Sequence, residues 1–161
     1  MLYYMSELNT TKAVVAYLET ATTTATSNAK TYIPEIHYGK VIKVYDGDTI
    51  TIVTTLHNGD LAASRDLYKF NVRIAGIDTP ELKAKNTGER ELGVLARDAL
   101  AALVMNKVLR LENIGYDKYG RILCDLYLNE INISKWLIAN NHATPYGGGT
   151  KTKIWAGDIG T

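Results

Sequence analysis

The chain has 161 residues, 46% of them hydrophobic, which is material for one core of ordinary size and too little for two. Its 18 Lys and Arg against 17 Asp and Glu leave a formal net charge of +1, so no global field draws in an anionic partner, and any grip on nucleic acid must come from locally placed arginines. The single cysteine, Cys124, excludes an internal disulfide framework, and His37, His57 and His142 are too scattered for a zinc site, so a bound metal is expected to be held by oxygen.

No window approaches the roughly 18 apolar residues of a membrane span. Ala13 to Leu18 is too short and too weakly flanked by positive charge for a secretory signal. The expected compartment is therefore intracellular, with no membrane partner and a chain that works as a monomer.

Residues 1–36 read as an N-terminal extension. A short helix is expected over Thr11 to Glu19, and the Thr-, Ala- and Ser-rich run Thr20 to Lys30, with little to bury, reads as a linker. Residues 37–161 read as one domain. From Lys40 the pattern becomes that of strands: "KVIKVYDGDTITIVTTL" holds two β-rich runs joined at "DGD". A longer loop follows, from Leu56 to Leu67. In "YKFNVRIAGI", Tyr68, Phe70, Val72 and Ile74 alternate with Lys69, Asn71 and Arg73, which turns Arg73 away from the core onto a wet face.

Between Gly88 and Met105 the apolar residues Leu92, Leu95, Ala96, Ala99, Leu100 and Leu103 recur at helical spacing, opposite Glu89, Arg90, Arg97 and Asp98. "KVLRLENI" and "RILCDLYL" read as two further strands around the turn "GYDKYG", with Ile122, Cys124, Leu126 and Leu128 on one face and Arg121 opposite. A last helix is expected around Ile133 to Ala139. Five short strands, a helix after the third and another near the end fit an α+β domain built on a five-stranded Greek-key barrel of the OB type with two or three packed helices.

The chemistry lies at the turns. Proline disfavours helical backbone in the residue before it, so in "DTPE" Thr79 should be extended, with its carbonyl turned outward between Asp78 and Glu81. A hard divalent cation can use the Asp78 carboxylate and the Thr79 carbonyl. In "YDGDT", Asp48 offers a second direct ligand, and Asp46 is expected to order a bound water. Arg73 and Arg121 present planar forks, charged at any working pH, that match phosphate oxygens. Glu81 is then placed as general base toward an attacking water.

These same residues carry a resemblance. "YDGDT", "VRIAGIDTPE", the amphipathic helix after it and "DKYGR" occur together, in that order, and resemble the staphylococcal nuclease (thermonuclease) family from Lys40 to Tyr146. The resemblance implies an OB-type barrel that binds calcium and hydrolyses DNA and RNA, single strands by preference, to 3′-phosphate ends. By motif position it implies metal ligands at Asp48, Asp78 and the Thr79 carbonyl, a general base at Glu81, phosphate-gripping arginines at Arg73 and Arg121, and nucleotide contacts at Lys118 and Tyr119. "PYGGGTK" offers Tyr146 to the same face, and Lys83, Lys85, Lys151 and Lys153 can add a diffuse basic rim. The Leu56 to Leu67 loop is longer than in the secreted bacterial prototype, and the chain ends sooner after Trp155.

Taken singly, "DGD" is a hairpin turn and "DTPE" a helix start. Two other readings stay open: a non-catalytic module of the same barrel that binds nucleic acid or protein, and a barrel whose carboxylates bind calcium for stability alone. Against the first, a pure binder has no need for Asp48, Asp78, Glu81, Arg73 and Arg121 all together.

Overall fold

A computed structural model describes residues 12–56, 66–149 and Trp155. The long-loop expectation, apart from Leu56, Asp66 and Leu67, and the rim lysines Lys151 and Lys153 fall outside the described residues. The chain divides into two compact units, up to Tyr32 and from Ile33 onward. In the first, residues 12–19 are helical (α1). The run read as a linker carries a short helix, α2 (Thr23–Ser27), begun by the Ala25 N–H donating to Thr22 Oγ1 at 3.1 Å. Threonine's capping bond and alanine's helix preference thus override the low apolar content.

The second unit is a barrel. Its strands are β1 (Tyr38–Val44), β2 (Thr49–Thr54), β3 (Tyr68–Ile74), β5 (Val108–Tyr116) and β6 (Ile122–Leu128), hydrogen-bonded in the order β3-β2-β1-β5-β6. A parallel pairing of β3 with β6 closes the sheet on itself, so the five-stranded OB-type barrel expected from the sequence is the fold. Inward positions alternate with outward ones, and Val41, Ile50, Ile52, Val72, Leu109 and Cys124 are sealed inside. Burial pushes the Cys124 thiol up to about 12, which leaves it an inert core residue.

Helix α3 (Thr87–Val104) begins at Asn86, whose side-chain oxygen accepts from the N–H groups of Gly88 and Glu89, and α4 (Ile133–Ala139) begins likewise at Asn132. Short strands β4 (Ile77–Asp78) and β8 (Thr144–Pro145) pair antiparallel, and β7 (Ile131–Asn132) extends the main sheet beside β6. None of these three was legible in the sequence, since two residues carry no period. No described helix is long and apolar enough to cross a membrane.

One expectation about α3 is corrected. Its buried line is Gly93, Ala96, Leu100 and Val104, while Leu95, expected in the core, is 57% exposed. The helix is rolled because Gly93 lets it lie directly on the proline corner. A Cβ at position 93 would stand 2.9 Å from the Pro80 carbonyl oxygen and 3.1 Å from the Glu81 carbonyl carbon. A Cβ at Gly47, between the two aspartates of "DGD", would stand 2.9 Å from the Cβ atoms of both Ala96 and Thr79. Two glycines therefore let α3 press both acidic turns together.

In an open helix interior Gly93→Ala would gain about 1 kcal/mol of helix propensity. Here the obstructing atoms are backbone and cannot swing aside, so the substitution should instead cost about 1–3 kcal/mol. Gly115→Ala in β5, whose Cβ would meet nothing nearer than 4.0 Å, is the uncrowded comparison. Urea unfolding of both variants checks this, and equal midpoints would show that α3 is not seated on the corner as described.

Candidate active site

Each site residue is held by a specific local bond. At the β1–β2 turn the Asp48 N–H donates to Asp46 Oδ1 at 3.1 Å and the Tyr45 N–H donates to the Thr49 carbonyl at 2.9 Å, which fixes "YDGDT" as a tight loop. Asp46, expected to order a metal-bound water, thus holds the backbone of Asp48. Gly76, at φ 78°, turns β3 into β4 in a left-handed conformation that suits glycine, and β4 ends at Asp78, paired with Thr144 of β8.

Asp48 and Asp78, both buried, converge on one cation. Arg73 Nη2 lies 2.8 Å from Asp48 Oδ2 and 3.8 Å from Asp78 Oδ1. Its Nη1 donates to the carbonyls of Ile74 and Ile77, each at 3.2 Å. The expectation of a wet face for Arg73 is corrected here. It does point out of the barrel, but only 15% of its side chain is exposed, because carboxylates and carbonyls close around it. Thr79 is buried beside Gly47.

Arg121, just before β6, is set by Asp117. The carboxylate accepts from the N–H groups of Tyr119 and Arg121 at 2.8 and 2.9 Å, and Arg121 Nε donates to it at 2.6 Å. Arg121 Nη1 also donates to Thr49 Oγ1 at 3.3 Å, and Thr49 Oγ1 in turn donates to Asp48 Oδ1 at 2.8 Å. A continuous chain of polar bonds thus runs Arg73, Asp48, Thr49, Arg121. The parallel register of β3 on β6, Val72 opposite Ile122, brings the two arginines to one end of the barrel.

They face a cleft of about 710 Å³ that Asp46, Asp48, Glu81, Lys118, Tyr119 and Tyr146 also line. Tyr119 is 73% exposed and lies 5.0 Å from Lys118 Nζ and 5.6 Å from the Arg121 guanidinium. The Tyr146 ring centroid lies 6.0 Å from Arg73, and its hydroxyl donates to the Gly149 carbonyl at 2.6 Å. Tyr116, the other tyrosine of that turn, does not line the cleft. Among the described residues no three His, Cys, Asp or Glu side chains gather as a metal cage. A second hollow, of about 660 Å³ beside Ile33 to His37 and β5, is lined by no arginine.

Three residues of this arrangement were not singled out from the sequence. Asp117 and Thr49 orient Arg121, and Glu89 Oε1 accepts the Glu81 N–H at 3.2 Å. Asp117 had a readable signal, the four-residue spacing to Arg121 across "DKYGR"; Glu89 and Thr49 had none.

The two aspartates at the arginines differ in electrostatics. Burial raises the Asp48 carboxyl to about 6, with Arg73 pulling the other way and Asp46 adding to the rise. Asp117 loses some hydration too, but its hydrogen bonds from Arg121 and Tyr119 bring its carboxyl below the ordinary range. A raised native carboxyl means that the folded state holds the proton longer than the unfolded chain. Its stabilising share is complete below pH 3.8 and is lost as pH rises through about 6. Asp117 acts in reverse, and its share is lost as pH falls below the ordinary aspartate range. In chelator, the unfolding free energy of wild type relative to Asp48→Asn should therefore decline between pH 4 and 6. Urea titrations across that interval check this, and parallel curves for the two proteins would contradict the burial of Asp48.

The staphylococcal nuclease homologue family model matches residues 71–153 of this chain. An endonuclease, Htp3, of Saprolegnia parasitica is 30% identical over 116 residues, covering 67% of this chain and 55% of that protein. An uncharacterized endonuclease of Haemophilus influenzae is 31% identical over 107 residues, covering 66% and 51% respectively. The thermonuclease of Staphylococcus hyicus is 34% identical over 93 residues, covering 56% and 48%. The chain thus spans about half the length of each of these relatives. With a match over half of its residues, a closed five-stranded barrel, and paired arginines and aspartates facing one cleft, the chain belongs to the staphylococcal nuclease homologue family.

Proposed function

We propose that this protein is a calcium-dependent endonuclease that hydrolyses phosphodiester bonds of DNA or RNA, acting on single strands by preference and leaving 3′-phosphate ends. One observation carries the reading: the unbroken polar chain Arg73, Asp48, Thr49, Arg121, facing a cleft that Glu81 also lines.

Charge supports a divalent cation in that cleft. Its walls bring four carboxylates, Asp46, Asp48, Glu81 and Asp117, against three cations, Arg73, Lys118 and Arg121, a net of −1 before Asp78 is counted. A phosphodiester anion would be repelled by that set. Asp48 and Asp78 already converge on a single cationic nitrogen, so their oxygens are close enough to share one positive centre, and hard carboxylate and carbonyl oxygens suit calcium. In this reading Asp48, Asp78 and the Thr79 carbonyl hold the ion, with Asp46 bracing Asp48. When bound, the ion supplies charge that offsets the growing anion on the phosphoryl oxygens.

The protein's own groups do the rest. Arg73 and Arg121 bind the non-bridging oxygens, and their contribution grows as negative charge builds at the five-coordinate transition state. Asp117 and Thr49 keep Arg121 from turning away. Glu81 accepts the proton of the attacking water as its oxygen bonds to phosphorus and the bond to the 5′ oxygen breaks. Tyr119, exposed at the cleft and flanked by Lys118, offers a face on which an unpaired base can stack, and Tyr146 lines the same cleft; this favours single strands.

The test is release of acid-soluble nucleotides from denatured DNA and from RNA. Chelator should abolish it, calcium should restore it, and Glu81→Gln should lower turnover by about 10²-fold or more. Activity that survives both chelator and Glu81→Gln would sink the mechanism. Arg73→Lys and Arg121→Lys keep the charge and lose the fork, so each should lower kcat/KM by about 10²-fold, in keeping with loss of one transition-state donor. Full turnover in either lysine variant would remove that arginine from its role.

A further inference from the structure

We propose that Glu89, in the first turn of α3, is a positioning residue for the reaction: its carboxylate holds the main chain of Glu81, so that the proton acceptor keeps one place at the cleft. The role rests on the nuclease reading above. Burial ends just before Glu81. Ile77, Asp78, Thr79 and Pro80 are all buried, whereas Glu81 is exposed and lines the cleft, and Lys83 and Lys85 beyond it are exposed as well. Side-chain burial therefore fixes the proline corner and stops one residue short of the group that must take the proton. Pro80 carries no N–H, so the Glu81 N–H is the first main-chain donor after Thr79. Glu89 Oε1 accepts from it at 3.2 Å.

The start of α3 makes that bond available. Asn86 Oδ1 accepts from the N–H groups of both Gly88 and Glu89, at 2.7 and 3.2 Å. Glu89 stands three residues after this cap, where the glutamate of a capping box turns back to the cap residue's own N–H. Here Oε1 reaches beyond the cap to Glu81, and so ties the loop of residues 82–86 to the helix that follows it. Gly93 lies four residues after Glu89 on the same face of α3, and it is the glycine that lets the helix touch the Pro80 and Glu81 main chain. One face of one helix thus provides both the seat and the clamp. The Glu81 carbonyl is engaged as well, accepting from the Ala84 N–H at 3.2 Å.

The chemistry needs such a hold. A proton acceptor works only within hydrogen-bond reach of the attacking water, about 2.6 to 3.2 Å, and a misplacement of about 1 Å can cost on the order of 10²-fold in rate. A carboxylate whose Cα sits at the start of an exposed loop meets that tolerance only if its main chain is fixed. Substrate phosphate is gripped by other groups with anchors of their own: Arg73 is held by Asp48 and the carbonyls of Ile74 and Ile77, and Arg121 by Asp117. Loss of Glu89 should therefore fall on kcat and spare KM.

The experiment compares Glu89→Ala, which removes the acceptor, with Glu89→Gln, which keeps an oxygen at the same reach and removes the charge. On denatured DNA with calcium, Glu89→Ala should lower kcat by about 10-fold or more with KM little changed, and Glu89→Gln should recover most of the turnover. In a Glu81→Gln background Glu89→Ala should cost nothing further, because it acts through the group already removed. Amide hydrogen exchange gives a readout that needs no cleavage. The Glu81 N–H should exchange about 10-fold faster in Glu89→Ala than in wild type, in keeping with loss of one hydrogen bond to a charged group, while the amides of β2 keep their rates. Unchanged kcat in Glu89→Ala, an equally deep loss in Glu89→Gln, a fall carried by KM, an additive loss in the Glu81→Gln background, or faster exchange shared by β2 would each overturn the role. Failure of the nuclease reading looks different: wild type cleaves nothing, while faster exchange confined to Glu81 in Glu89→Ala still upholds the hold of Glu89 on that residue.

Discussion

Two buried carboxylates closing on one guanidinium form the constraint around which this barrel is arranged. Asp48 and Asp78 come from turns 30 residues apart, and like charges do not meet unless something compels them. Arg73 supplies the attraction from β3, the strand that lies between those turns in sequence. Burial still weighs against the Asp48 charge, as its carboxyl near 6 records. The pair therefore carries an unfavourable desolvation that the Arg73 guanidinium offsets only in part.

What compels the meeting is packing more than electrostatics. Gly47 and Gly93 allow Ala96 and the backbone of α3 to approach both acidic turns, and the β4–β8 pair holds Asp78 from the other side. Because α3 also buries Leu100 and Val104 in the common core, the position of the site is tied to the stability of the whole barrel. The arginine pair has a different basis. It follows from the parallel pairing of β3 with β6, the step that closes the sheet. The geometry of the site therefore depends on the same pairing that closes the barrel.

How much of this could be read from the sequence follows the same division. The five barrel strands and the helices α3 and α4 carry strong period-2 or helical patterns, and the helices carry asparagine caps as well; all were legible. Asp46, Asp48, Arg73, Asp78, Glu81 and Arg121 were singled out because turn residues and a proline frame them in short motifs. The roll of α3 was hidden, since periodicity scored Leu95 as core and Gly93 as neutral, and only the partner surface shows that a missing side chain was needed there. Glu89 and Thr49 were hidden for a related reason. A positioning residue is defined by its neighbour in space, and β4, β7 and β8 are too short to announce the neighbours they meet.

The bulge at Ile42 and Lys43 belongs to this last group and bears on how the protein distributes its charge. Regular alternation would have sent a lysine into the core, where an unpaired ammonium is strongly disfavoured. The extra residue places it beside Lys40 and Lys69 on a face whose three strands carry no carboxylate. Meanwhile Glu112 and Asp125 gather on the far strands of the same sheet. The exposed lysines of β1 and β3 thus stand apart from the carboxylates of β5 and β6, where Glu112 is paired with Arg110. Local fields of this kind persist on a chain whose net charge is close to zero.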